Sequence, residues 1–298
     1  MKKSIIALAV AGALTAPMVA QADATLYGSL RLNLSNYNAG LDVTDNFSRI
    51  GVKGSSELFS GAKAIFQWEQ SINTEAGALG GGRLASIGVT GDFGTVNAGR
   101  QWSPFALWTL FPTDIMVNSD VSGASGYAAG ADLGTSFHRL SNTIAYISPV
   151  MSGLQVAGVV IAGGDAAGTD SVDAYNLAVK YSVDGLTLAA STIGVENTVG
   201  ESVNSFAASY KTGGLYVATR YQDDGTAGAG REDSYEVAGS YTMDNTTLAA
   251  NFVDDDKYAD DKYSLEVSQK LGKAAKAFVG YYDKGDDGSL AVGYRVDF

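Results

Sequence analysis

The chain ends on "SLAVGYRVDF", Ser289 to Phe298. Read backwards from the last residue, Phe298, Val296, Tyr294, Val292 and Leu290 are apolar. Asp297, Arg295, Gly293 and Ala291 stand between them. Chain ends are usually frayed and polar, because nothing ties them down. A strict two-residue alternation closing on an aromatic is instead the mark of a strand whose two faces meet different surroundings.

The same alternation recurs upstream. In "TLYGSLRLNLS" the residues Leu26, Gly28, Leu30, Leu32 and Leu34 share one face, and Ser29, Arg31, Asn33 and Ser35 the other. In "AYNLAVKY" the apolar face is Tyr175, Leu177, Val179 and Tyr181; in "SYEVAGSY" it is Tyr235, Val237, Gly239 and Tyr241. "KYSLEVSQKL" sets Tyr263, Leu265 and Val267 against Ser264, Glu266 and Ser268. A soluble sandwich and a membrane barrel both alternate in this way. The tyrosines favour the barrel. They bracket an apolar face at both ends, as interfacial girdles do, and six residues along a strand tilted by ~40° climb roughly 15 Å, within the ~25 Å apolar band. Beyond residue 22 no run approaches the ~18 apolar residues of a membrane helix, so a membrane location leaves only a closed barrel.

The N-terminus "MKKSIIALAVAGALTAPMVAQA" has two lysines, an apolar stretch and Ala20-Gln21-Ala22, the layout of a secretory signal peptide. It predicts a leader over residues 1–22 and a mature domain over 23–298. Cleavage removes two of the twenty bases and none of the thirty-two acids, moving the formal charge from −12 to −14. That acidity argues against nucleic acid as a partner, which requires a basic face. The absence of cysteine excludes disulfides and thiolate metal sites.

Connections alternate between two kinds. Tight ones include "GDFGT", "SVDG", "KTGG" and "TMDN"; long polar ones include "GGDAAGTDS", "GVENTVGESV" and "NTEAGALGGG". Seven short turns and eight long loops divide the mature chain into sixteen strands. Short turns on one side, long loops on the other and an even count make the outer-membrane pattern. The expected fold is an all-β, 16-stranded antiparallel transmembrane barrel. Its closure requires the last strand to pair with the first.

Several stretches resemble the general bacterial porins of Gram-negative outer membranes. "TLYGSLR" is similar to their first strand, "SRIGVKGSSELFSGAKAIFQWE" to the second and third, "RLASIGVTGDFGTVNAGRQWSP" to the fourth and fifth, and "RLSNTIAYISPVMSGL" to the sixth and seventh. "GYRVDF" resembles the aromatic-ended signal, here Tyr294 and Phe298, read by the barrel-assembly machinery. The resemblance implies an outer-membrane location amid lipid and lipopolysaccharide, a homotrimer, and passive diffusion of small hydrophilic solutes and ions. It also implies that the third loop, here from about Ser103 to Phe137, folds into the pore and sets acids against a basic wall. Asp114 and Asp120 are the candidate acids, with Asp132 beyond them. The family's Pro-Glu-Phe-Gly-Gly-Asp loop tip is absent from this sequence.

Parity supplies most of the basic wall. Arg31 shares the polar face of Ser29 and Asn33. Arg49 shares one with Gly51 and Lys53, and Lys63 one with Gln67 and Glu69. Arg139 shares a face with Ser141 and Thr143, against Leu140, Ile144 and Tyr146. An arginine on the lipid face costs ~2–4 kcal/mol at mid-depth, which independently turns these side chains inward. Arg83 enters by resemblance to a pore arginine, although strict alternation would then turn Ile87 and Val89 inward too. Arg100 resembles a family arginine near the root of the folded-in loop and the subunit contact.

The expected mechanism is size exclusion plus a transverse field across the pore. The acidity predicts a mild cation preference, weakened because much of the excess lies in loops such as "DDDKYADDK", where screening acts over ~8 Å. No catalytic residue, cofactor or metal is assigned; the aspartate run lacks an EF-hand pattern. The chain has one histidine, His138, without a recognisable catalytic partner motif, so an outer-membrane enzyme is the weaker alternative. A β-sandwich adhesin would be soluble without detergent. A substrate-specific channel would carry a ladder of aromatics in its lumen.

Overall fold

The computed structural model describes residues 23–36, 40–59, 61–118, 129–130, 135–136, 138–162, 172–195, 202–225, 232–255, 261–283 and 288–298. The expected leader, Asp120 and Asp132 lie outside the described residues.

Among the described residues sixteen strands pair antiparallel into a closed barrel. They are β1 Asp23–Ser35, β2 Arg49–Phe59, β3 Ala62–Asn73, β4 Ala78–Gly91, β5 Gly94–Trp102 and β6 Arg139–Ile147. There follow β7 Leu154–Ala162, β8 Val172–Val183, β9 Leu186–Val195, β10 Ser202–Thr212 and β11 Leu215–Asp224. The last are β12 Glu232–Met243, β13 Thr246–Asp255, β14 Lys262–Lys270, β15 Ala275–Asp283 and β16 Gly288–Asp297. Closure runs through β1. Its first half pairs with β2, from Asp23 opposite Ser55 to Ser29 opposite Arg49. Its other edge pairs with β16, from Ser29 opposite Asp297 to Ser35 opposite Ala291. Where β2 leaves, a short strand over Asp42–Asp45 takes the vacated edge of β1. Among the described residues the barrel sheet keeps no free edge for another chain to template on.

The apolar faces point outward. Leu30, Leu32 and Leu34, alternate residues Tyr175, Leu177, Val179 and Tyr181, and Tyr235 and Tyr241 are all exposed on the outer surface, whereas Ser29, Arg31, Asn33, Asn176 and Glu236 are buried inside. A soluble domain would reverse this; a barrel in hydrocarbon requires it. Seven tight connections lie on one side. At Asp184–Gly185 both residues take positive φ, 46° and 85°, as a two-residue hairpin demands, and Gly185 meets that demand without steric cost.

Three sequence expectations are corrected in detail. The β3–β4 pairing slips, so that Glu69 faces Leu84 while Gln70 faces Gly82, and Arg83 is the extra residue of a bulge. The bulge resets parity. Arg83 therefore turns inward while Ile87 stays on the outer face, 70% exposed. A second slip lies between Gly99 and Gln101 of β5 opposite β6, where Asn142 takes φ 54°. Leu140, expected on the lipid side with Ile144, is consequently buried inside against Phe105. Finally, most of "NTEAGALGGG" is strand: only four residues, 74–77, connect β3 to β4.

The connection after β5 enters the barrel with one helical turn, Ala106–Leu110. Phe105, Ala106 and Leu110 are fully buried against Val159 and Ile161 of β7, Ala174 of β8, Ile193 of β9 and Val203 of β10. Those wall residues face inward. This explains why "LQVAGVVIA" in β7 lacks clean alternation: one face meets lipid and the other meets the segment. Farther on, the Tyr216 hydroxyl of β11 donates to the Pro112 carbonyl (2.8 Å), and the Thr113 hydroxyl donates to Glu236 of β12 (2.7 Å). The N–H groups of Val117 and Asn118 donate to Glu266 of β14 (2.9 and 3.0 Å). The Asn33 side chain of β1 donates to Asn118 at 2.8 Å. Residues 103–118 thus follow the inner wall from β5 round to β14 and β1.

Candidate functional site

Between this segment and the uncovered wall lies a cavity of about 440 Å³. Five guanidinium groups line it: Arg31 from β1, Arg49 from β2, Arg83 from β4, Arg139 at the start of β6 and Arg295 from β16. Two carboxylates join them, Glu69 of β3 and Asp114 of the inserted segment. Phe47, Trp102, Phe111, Met116 and His138 complete the lining. With His138 neutral, the formal balance of the cavity is three positive charges, opposite in sign to the whole chain.

Glu69 keeps the arginines apart. It is 4% exposed and bonds Arg83 Nε at 2.6 Å, with Arg49 Nε at 3.6 Å on its other oxygen. The Tyr27 hydroxyl also donates to Glu69 (3.1 Å) while accepting from Gln67 (2.7 Å). Such charge-assisted bonds are roughly twice as strong as neutral ones and fix the guanidinium planes. Trp102 offers its ring to two more cations: Arg139 lies 4.8 Å and Arg83 5.9 Å from its centroid. Phe111 meets Trp102 edge-on at 5.0 Å, tying the inserted segment to the same aromatic. Arg31 Nε donates to Ser29 Oγ at 2.8 Å, and Arg295 pairs with Asp297 at 2.8 Å. The cavity is therefore a cluster of cations held at short range.

The opposite wall is built to hold the segment. Arg220 and Glu236, 2% and 0% exposed, pair at 3.3 Å, and Arg220 also donates to Gln222 at 2.9 Å. The Glu236 oxygen that accepts from Arg220 also accepts from Thr113. Glu266 accepts two backbone N–H groups of the segment and the Tyr282 hydroxyl at 2.8 Å. Glu236 thus holds the segment through the Thr113 side chain, and Glu266 through the Val117 and Asn118 backbone.

Of the residues singled out in the sequence, Arg31, Arg49, Arg83, Arg139 and Asp114 meet in one cavity. Lys53 lies just outside it, its ammonium 5.3 Å from the Tyr27 ring. Lys63 is not brought there. It stands at the short-turn end of β3, paired with Glu57 at 2.9 Å, both exposed. Arg100 lies outside the cavity lining. Its Nε donates to the Arg83 carbonyl (3.1 Å) and its terminal nitrogen to Ser141 (2.5 Å), cross-bracing β4, β5 and β6 at the root of the segment. Tyr294 and Phe298 face outward, exposed. Sequence reasoning gave no role to Arg295, Glu69, Trp102, Glu236 or Glu266. Arg295 was within reach of the parity argument, since it opposes Tyr294 and Val296. Glu236 lies in phase with Ser234, Ala238 and Ser240, and Glu266 with Ser264 and Ser268, so each is a mid-strand acid among small neighbours on its face. Among the described residues, no three metal-ligating side chains come together.

A family model described as Gram-negative porin matches residues 7–289. The chain is 31% identical over 285 residues to the major outer membrane protein P.IB of Neisseria lactamica, a match covering 85% of this chain and 81% of that one. It is 31% identical over 201 residues to the P.IB protein of Neisseria gonorrhoeae, covering 62% of this chain and 55% of that protein, so that it spans about half of this relative's length. Among solved structures, an anion-selective porin from Comamonas acidovorans superposes with a TM-score of 0.76 at 18% identity, covering 93% of this chain and 100% of that one.

Proposed function

The chain belongs to the Gram-negative porin family, and its place is the outer membrane; from that premise we propose that it is a water-filled channel through which small hydrophilic solutes and ions diffuse passively, narrowed where residues 103–118 face the arginine wall, and that it prefers anions. The observation carrying the reading is the set of five arginines against two carboxylates in one cavity. A permeating ion passes within a few ångströms of these groups in a narrow, low-dielectric surround, where screening is weak. Of the described acids only Glu69 and Asp114 line this cavity, and charges farther than a Debye length of ~8 Å from a permeating ion are largely screened. The cation preference expected from overall charge therefore gives way to the local sign. The porin of Comamonas acidovorans is anion-selective, which is the same sign.

Asp114, on the segment, opposes the guanidinium cluster and sets a field across the lumen. Water and polar solutes orient in that field; an apolar solute must disrupt it, so exclusion follows polarity as well as size. Three subunits assembling in the membrane, contacts with lipopolysaccharide, and insertion by the barrel-assembly machinery through the Phe298 end belong to the same proposal.

The test is a reversal potential in a planar bilayer under a potassium chloride gradient. A potential of the sign set by chloride supports the reading. A cation-selective channel overturns the assigned sign, and a protein that passes no current overturns the channel itself.

A further inference from the structure

The arginine cluster does not stop at the cavity. Arg31 of β1 stands directly opposite Arg295 of β16, Arg295 opposite Lys276 of β15, and Lys276 opposite Lys270 of β14. All four share the inward parity of their strands. Lys276 is in phase with the buried Phe278 and Tyr282, and Lys270 with the buried Ser268 and Glu266, while Val279 and Val267 lie exposed on the outer face. Like charges directly opposite each other weaken a sheet. Four bases in one unbroken cross-strand row are therefore not placed there for stability.

The row also has a direction. Strands lie 4.7–4.9 Å apart, so three steps span roughly 14 Å. With strands tilted by ~40°, the row descends roughly 9 Å toward the short-turn mouth. Lys270 opens onto the turn to β15, which carries Lys273. Two carboxylates share this wall: Asp297 pairs with Arg295 of the row itself, and Glu266 is held by the backbone of Val117 and Asn118 and by Tyr282, so the four bases outnumber the acids by two.

We propose that Lys276 and Lys270 extend the constriction arginines into a continuous track on the inner wall, along which small inorganic and carboxylate anions pass between the cavity and the short-turn mouth. The proposal rests on the channel reading and deepens it. Conduction needs sites that attract an ion yet release it. A lysine ammonium, strongly hydrated on a flexible stem, makes the weaker, exchangeable partner, whereas a fixed guanidinium fork holds on. The order arginine at the narrowing and lysine at the exit grades the attraction downward.

Bilayer recordings on the full-length protein test this with potassium chloride and potassium acetate as probes. At about 0.05 M salt, Lys276→Gln with Lys270→Gln is expected to lower the anion-to-cation permeability ratio about twofold for both anions, and at about 1 M, where screening acts over ~3 Å, the difference should vanish. Lys270→Gln alone, an exposed strand-end change, should give a smaller drop of the same sign and serves if the double variant fails to insert. Lys211→Gln, at the same rim on β10, should leave the ratio at the parent value. Unchanged selectivity in the lysine variants at low salt overturns the track, as does an equal loss in Lys211→Gln. A parent protein without current is a separate result, which removes the channel and the track together.

Discussion

Phe298 and Gly28 close the barrel on each other. The Gly28 N–H donates to the Phe298 carbonyl at 2.9 Å, the Phe298 N–H donates to the Gly28 carbonyl at 3.1 Å, and the Phe298 ring occupies the space a Gly28 side chain would need. The last residue of the chain is thereby bonded to the first strand. An aromatic laid over a cross-strand glycine also covers backbone that would otherwise face the bilayer.

Gly28→Leu should disrupt this seam. Overpacking of a tight contact costs about 1–3 kcal/mol, and here the displaced ring belongs to the residue that completes closure. The expected outcome is a lower yield of heat-modifiable barrel on electrophoresis and a lower unfolding temperature, with Gly28→Ala intermediate. An unchanged Gly28→Leu barrel would show that the ring is not needed at the seam.

Glu69 is the counter-charge of Arg49 and Arg83, so Glu69→Gln should act twice. Removing one partner of a buried ion pair costs roughly 3 kcal/mol or more, seen as a lower unfolding temperature. The permeability ratio should move further toward anions, because Arg49 and Arg83 then face the lumen uncompensated. Adding Arg83→Gln should recover part of the stability. Retention of full stability in the single variant would mean that lumen water already screens the pair.

Arg49→Gln with Arg139→Gln removes two of the five guanidinium groups in the cavity. The anion preference should fall. Reversal potentials of the parent and the double variant, measured at one pH, check this. A preference that survives the double substitution would place selectivity elsewhere in the lumen.

Glu266→Ala takes the shared acceptor from the Val117 and Asn118 N–H groups and the Tyr282 hydroxyl. Each hydrogen bond to a charged acceptor is worth about 1.5–3 kcal/mol, so residues 113–118 should loosen from the wall. Single-channel recording should show a larger mean conductance with more open-state noise. A quiet trace of parental size would indicate that Glu236 and the apolar packing of Phe105 and Leu110 suffice to hold the segment.

Period-two alternation marks the strands, because lipid on one side and water on the other impose opposite chemistry on successive residues, and the bracketing tyrosines with the short-turn, long-loop pattern turn those strands into a barrel. The same rule turns Arg31, Arg49, Arg139 and Arg295 inward. What the alternation could not carry was anything that interrupts it. Arg83 faces the lumen because a bulge adds one residue opposite Glu69 and Gln70. Leu140 leaves the lipid face because the β5–β6 pairing slips and an apolar segment waits inside. Both depend on contacts between residues far apart in sequence, which a one-strand pattern does not contain. The tethering roles of Glu236 and Glu266 likewise exist only once Thr113 and Val117 arrive from more than a hundred residues upstream. Local periodicity, then, determined which chain this is and how it spans the membrane. Long-range folding decided which charges meet, and so the sign of the cavity, since the field at a point follows distances in space rather than totals along the chain.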